Sequence, residues 1–136
     1  MKWVDRNGKV RNVSIKKYLI DWEKPAPSKE AQVVKDFLKE FCKDHIVLEE
    51  FRIPRTRLRV DFVNLTRRFA IEHAGRQHTN YTEYFHGSPM GYLNSLKRDD
   101  MKYQELIRND FKFIETTKQD FPLTLDLFLE NGIIII

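Results

Sequence analysis

From residue 28 to residue 74 the hydrophobic positions change period, from helical to alternating. Ser28 is suited to cap a helix, and Val33, Val34, Phe37, Leu38 and Phe41 recur behind it at helical spacing to about Cys42. Glu30 falls within that stripe. Three strands are predicted next, over 47–53, 57–63 and 68–74. In the second, Leu58, Val60 and Phe62 alternate with Arg59, Asp61 and Val63; in the third, Phe69, Ile71 and His73 alternate with Ala70, Glu72 and Ala74. The connector Asn64-Leu65-Thr66-Arg67 suits a tight antiparallel turn. That turn puts Asp61 and Glu72 on one face of neighbouring strands, with Ala70 and Ala74 leaving room beside Glu72.

Residues 75–90 form a polar loop dotted with aromatic residues. Its length points to function rather than mere connection. A second helix is expected over 91–109, with a stripe of Leu93, Leu96, Tyr103 and Ile107 that also includes Asp100. A fourth strand over 111–116 follows, then a short helix begun by Asp120 and Pro122 and running through Leu129, ended by Asn131-Gly132. Ile133 to Ile136 read as a strand or a packed tail. At the amino terminus, Asn7-Gly8 marks a hairpin between Trp3-Val4 and Val10. Lys16 to Trp22 suit a strand or a short helix, and Pro25-Ala26-Pro27 a linker. Residues 1–24 therefore read as an appendage and 25–136 as the main domain. The class is α+β: helix, three strands in a meander, helix, strand, giving a mixed four-stranded sheet flanked by helices.

Composition narrows the setting. The 136 residues suffice for one core, and 41% hydrophobic with 32% charged residues fits a soluble domain. A net charge of +4 and a pI near 9.2 favour polyanionic partners. With one cysteine, Cys42, an internal disulfide is impossible, which fits a reducing cytoplasmic setting. The first residues lack an apolar signal core, and no run has the length of a membrane span, so no membrane association is expected.

Two carboxylates converging on adjacent strands make a hard-oxygen seat for Mg²⁺, with Mn²⁺ able to substitute. Asp61 and Glu72 are the ligands the pattern offers, and the backbone carbonyl of His73 could complete the shell. Glu30 could support the ion through water, and Gln77 could orient a water or a phosphate. Arg52, Arg55, Arg57 and Arg59 form a basic cluster, extended by Arg67, Arg68 and Arg76, that suits a phosphate track. Tyr81, Tyr84, Phe85 and Tyr92 could stack on bases. His73, His78 and His86 match no zinc spacing. Each residue also has a structural reading: Asp61 could pair with Arg59 or Arg68, and His73 could be a satisfied core histidine.

At these residues the chain resembles the PD-(D/E)XK nuclease superfamily, most nearly its small Vsr-like and restriction-endonuclease-like proteins of bacteria and phages. Those carry a strand Asp, a strand Glu followed by Gly-x-Gln-His, and a helix with Asp-x-x-Lys. Here the matching positions are Asp61, then Glu72 with Gly75-Arg76-Gln77-His78, then Asp99-Asp100-Met101-Lys102. The αβββαβ order over about 28–116 is similar too. The resemblance implies a Mg²⁺-dependent DNA endonuclease, with metal on Asp61 and Glu72, an accessory acid at Glu30 and a catalytic polar role for Gln77. DNA contacts would fall to Arg55, Arg57, Arg59, Arg76, His78 and Lys102. The superfamily often has a lysine two residues after the strand Glu, where this chain has Ala74; Gln77 or a lysine such as Lys102 would have to replace it. A domain this small cuts both strands most simply as a homodimer. The alternatives are a catalytically silent DNA-binding module of the same fold and a protein-interaction domain.

Overall fold

Ser28 opens the first helix, α1 (Lys29–Cys42), by accepting a hydrogen bond from the Ala31 N–H at 3.1 Å. The computed structural model describes residues 1–73 and 100–135. The buried side of α1 is Ala31, Val34, Lys35, Leu38 and Cys42. Val33, expected in the stripe, is 41% exposed, and Phe37 and Phe41 lie at the margin of the core. The stripe is turned because Lys35 points inward. Its Nζ donates to Glu49 Oε1 at 3.0 Å and to the Lys24 carbonyl at 2.6 Å.

An amino-terminal hairpin pairs β1 (Lys2–Val4) with β2 (Val10–Asn12). Its turn is held by Asp5 Oδ1, which accepts from the N–H groups of Asn7 and Lys9, and by Gly8 at φ +81°. The main sheet has the order β3 (Val47–Arg52), β4 (Arg59–Asn64), β5 (Phe69–His73), β6 (Lys112–Thr116). The first three strands form an antiparallel meander, and β6 runs parallel to β5. Between β4 and β5, Asn64 Oδ1 accepts from the Arg67 N–H and Arg68 takes φ +57°, closing the predicted tight turn. The mixed four-stranded sheet with helices is thus as the sequence predicts. A second helix, α2, is described over 100–108, and a third, α3, spans Leu125–Glu130 behind the cap Thr124.

Two apolar cores flank the sheet. On one side Val34 and Leu38 of α1, Phe128 of α3 and the tail residues Ile133 and Ile135 cover Val47, Phe62, Phe69 and Ile71. On the other, Trp3 of the hairpin and Leu106 of α2 cover Leu48, Phe51, Val60, Val63 and Ala70. Trp3 is fully buried, stacks on Phe111 and donates from Nε1 to Glu105 at 3.1 Å. Asn109 holds the same hairpin by accepting from the Val4 N–H and donating to the Val4 carbonyl. These polar contacts explain a second difference from the sequence pattern. The buried side of α2 carries Glu105 and Leu106, while Tyr103 and Ile107 are 47% and 43% exposed. No helix among the described residues is long and apolar enough to cross a membrane.

Candidate active site

The β4–β5 ladder pairs Phe62 with Ile71, and one step further along both strands Asp61 stands opposite Glu72. On β5, Phe69 and Ile71 face the α1 side and Ala70 faces α2. Glu72 therefore faces α2, over the small side chain of Ala70, and meets Lys102 there at 2.8 Å. Both side chains of that pair are largely enclosed, at 15% and 16% exposure. Asp61 Oδ2 accepts a hydrogen bond from the His73 N–H at 3.0 Å, so the carboxylate satisfies a donor where the ladder ends.

Burial dominates the electrostatics. It pushes the Glu72 carboxyl up to about 7, against the pull of the Lys102 ammonium and with added push from Asp61 and Glu115. Burial also raises Asp61, offset by the His73 N–H and by Lys102. Two neighbouring acids taken out of water without a matching set of cations store free energy that a bound cation releases.

A third acid belongs to this group and is not evident from strict alternation. The β3–β4 register pairs Glu49 with Phe62 and Phe51 with Val60, which sets Glu50 opposite Asp61. Glu50 adopts φ +53°, a left-handed conformation in mid-strand. The side-to-side alternation slips there. Leu48 and Phe51 lie in the same core, and on β4 so do Val60 and Val63, whereas Phe62 lies in the other. Val60 and Phe62 are thus not on one face, as regular alternation predicts. The carboxyl of Glu50 is raised by burial and by the charge of Asp61. The sequence signal for it is the apolar doublet Val47-Leu48 followed by the acidic doublet Glu49-Glu50, which breaks the period.

The other predicted residues are distributed as follows. Glu30 keeps to the α1 side, 3.6 Å from Lys118. His73 stacks on Phe121 and shares a hydrogen bond between Nδ1 and Thr116 Oγ1 at 3.2 Å. The arginine cluster divides. Arg59 and its register partner Arg52 line one cavity, while Arg55 and Arg57 line another with Arg6. Arg55, at φ +63°, turns the chain between the two groups. Gln77, Arg76, His78 and Ala74 lie outside the described residues.

Among the described residues, no three or more His, Cys, Asp or Glu side chains are disposed to enclose a metal ion. Asp61 and Glu72, opposite each other across the β4–β5 ladder, offer an all-oxygen pair. This donor chemistry fits Mg²⁺ or Mn²⁺, which keep several waters when bound through one or two carboxylates. No family model matches the chain, and no curated protein or solved structure shows significant similarity to it.

Proposed function

We propose that this protein is a divalent-metal-dependent DNA endonuclease of restriction-endonuclease-like architecture. The observation that carries the reading is the placement of Asp61 directly across from Glu72, with Lys102 2.8 Å from Glu72. In this reading Asp61 and Glu72 hold Mg²⁺, with the His73 carbonyl as a further oxygen. The ion, when bound, supplies Lewis-acid stabilisation of the phosphate and lowers the pKa of a water.

The chain's own groups do the rest. The His73 N–H fixes the rotamer of Asp61. Lys102 brings an ammonium group within 2.8 Å of Glu72, where it can stabilise charge on the phosphate or its leaving oxygen. A cation held by Glu72 would compete with Lys102 for that carboxylate and so free the ammonium group for the substrate. Gln77 orients the attacking water or the phosphate; Glu30, held on the α1 side of the sheet beside Lys118, has no part in this reading. Purified protein with Mg²⁺ is expected to cleave or nick DNA, and EDTA to stop it. Equal residual cleavage by the wild type, Asp61→Ala and Glu72→Ala would refute the assignment.

One observation favours a second reading, a silent DNA-binding module. The Lys102–Glu72 pair already satisfies one carboxylate oxygen. Salt-dependent DNA binding with no metal-dependent cleavage would select it.

A further inference from the structure

The chain from Lys17 to Pro27 runs along the free edge of β3 and, with residues of β3 and β4, lines an open groove of about 580 Å³. Four cations line it: Lys17, Lys24, Arg52 and Arg59. All four are exposed. They come from three parts of the chain, so their convergence is a product of the fold and is not visible as a run in the sequence.

The acids along the same groove do not cancel them. Glu49 is neutralised by the buried Lys35 ammonium at 3.0 Å. Glu50 is a second acid on the wall. Asp21 remains as the third acid on the wall. The balance is basic.

The wall is also fixed in place. The Ile20 N–H donates to the Val47 carbonyl at 2.9 Å, Leu19 bridges to Leu48, and Lys35 Nζ clasps the Lys24 carbonyl. Pro25 and Pro27 stiffen the segment further. A pre-set wall loses little entropy on binding. Exposed, separated cations along an open groove suit a polymer of phosphates better than a single small anion, which needs donors converging on one point.

Glu50 lines the groove and stands opposite Asp61 in the β3–β4 ladder, and Arg59 of the same strand as Asp61 lines it too. The groove therefore borders the strand that carries Asp61. We infer that this groove, built in part by the amino-terminal segment, carries a DNA phosphate backbone toward Asp61 and Glu72. The inference rests on the nuclease reading above and assigns Lys17, Lys24 and Arg52 to substrate binding.

The test uses the full chain and a labelled DNA duplex, with affinity measured across a salt series. The triple variant Lys17→Gln/Lys24→Gln/Arg52→Gln is compared with Lys2→Gln/Lys9→Gln/Lys43→Gln, which removes the same charge from exposed sites outside the groove. Urea unfolding confirms that both are folded. The groove variant is expected to lose roughly tenfold or more in affinity and to flatten the slope of log K against log salt by about two to three. The control is expected to keep nearly the wild-type slope. Equal losses in the two variants, or none in either, would overturn the groove assignment while leaving metal-dependent cleavage by the wild type intact. Poly-glutamate competing as well as DNA at equal charge would overturn it in favour of an acidic protein partner. Absence of DNA binding by the wild type would overturn both the groove and the nuclease reading.

Discussion

Replacing Glu72 by Gln is expected to stabilise the protein at high pH. The Glu72 carboxyl is raised from 4.5 to about 7 by burial. Below pH 4.5 the group is protonated in the folded and unfolded chains alike, and its stability contribution is fully present. As pH rises, the unfolded chain releases this proton first, so the contribution falls until the folded group ionises near 7. At about 1.4 kcal/mol per pH unit, the loss amounts to roughly 3 kcal/mol above pH 7. Gln keeps the shape and an oxygen that accepts from Lys102, but never acquires the charge. Urea unfolding of wild type and Glu72→Gln should therefore give similar stabilities near pH 4.5 and a gap of roughly 2–3 kcal/mol in favour of the variant at pH 8. Mg²⁺ at about a hundred times its Kd should add about 2.7 kcal/mol to the wild type at pH 8, closing most of the gap, and much less to the variant. A variant less stable than wild type at pH 8, or a gap independent of pH, would show that Glu72 is a structural partner of Lys102 and would refute the reasoning.

Other consequences follow from the same contacts. Lys35→Met should cost about 3–5 kcal/mol by leaving Glu49 buried and unpaired, and adding Glu49→Gln should recover much of it in a double-mutant cycle by chemical unfolding. Asp61→Asn retains an acceptor for the His73 N–H and should fold nearly as well as wild type, whereas Asp61→Ala should lose about 1–3 kcal/mol; both should abolish metal-dependent cleavage in a gel assay. Trp3→Ala should cost about 3–5 kcal/mol, because the fully buried indole joins the hairpin to Phe51, Phe111 and Glu105; a midpoint shift below about 1 kcal/mol would contradict that role.

The Asp61–Glu72 juxtaposition was legible because two local signals agree: apolar alternation on β5 and a tight turn at Asn64 to Arg67 fix the register between the strands. The mixed sheet followed from element order. What failed to show was any feature that breaks local rules. Glu50 takes a left-handed φ that alternation does not encode, so its meeting with Asp61 could not be read from period alone. Lys35 looks like a solvent-facing residue of α1 until Glu49 is seen opposite it. The buried side of α2 is disguised by Glu105 and Asn109, whose partners lie about a hundred residues away in the hairpin. The arginines from Arg52 to Arg59 look like one patch, yet the turn at Arg55 sends them to two cavities. Lys102, in contrast, was within reach of the sequence, since the Asp-x-x-Lys helix could supply the ammonium group missing at Ala74.

The central claim is that Asp61 and Glu72 together grip one divalent cation. Titration of Mn²⁺ into the protein at pH 8, followed by electron paramagnetic resonance of the free ion, measures this without reference to any substrate. The account predicts one bound ion in the wild type and at least tenfold weaker binding in both Asp61→Asn and Glu72→Gln. Unchanged binding in either variant, or none in the wild type, would contradict it.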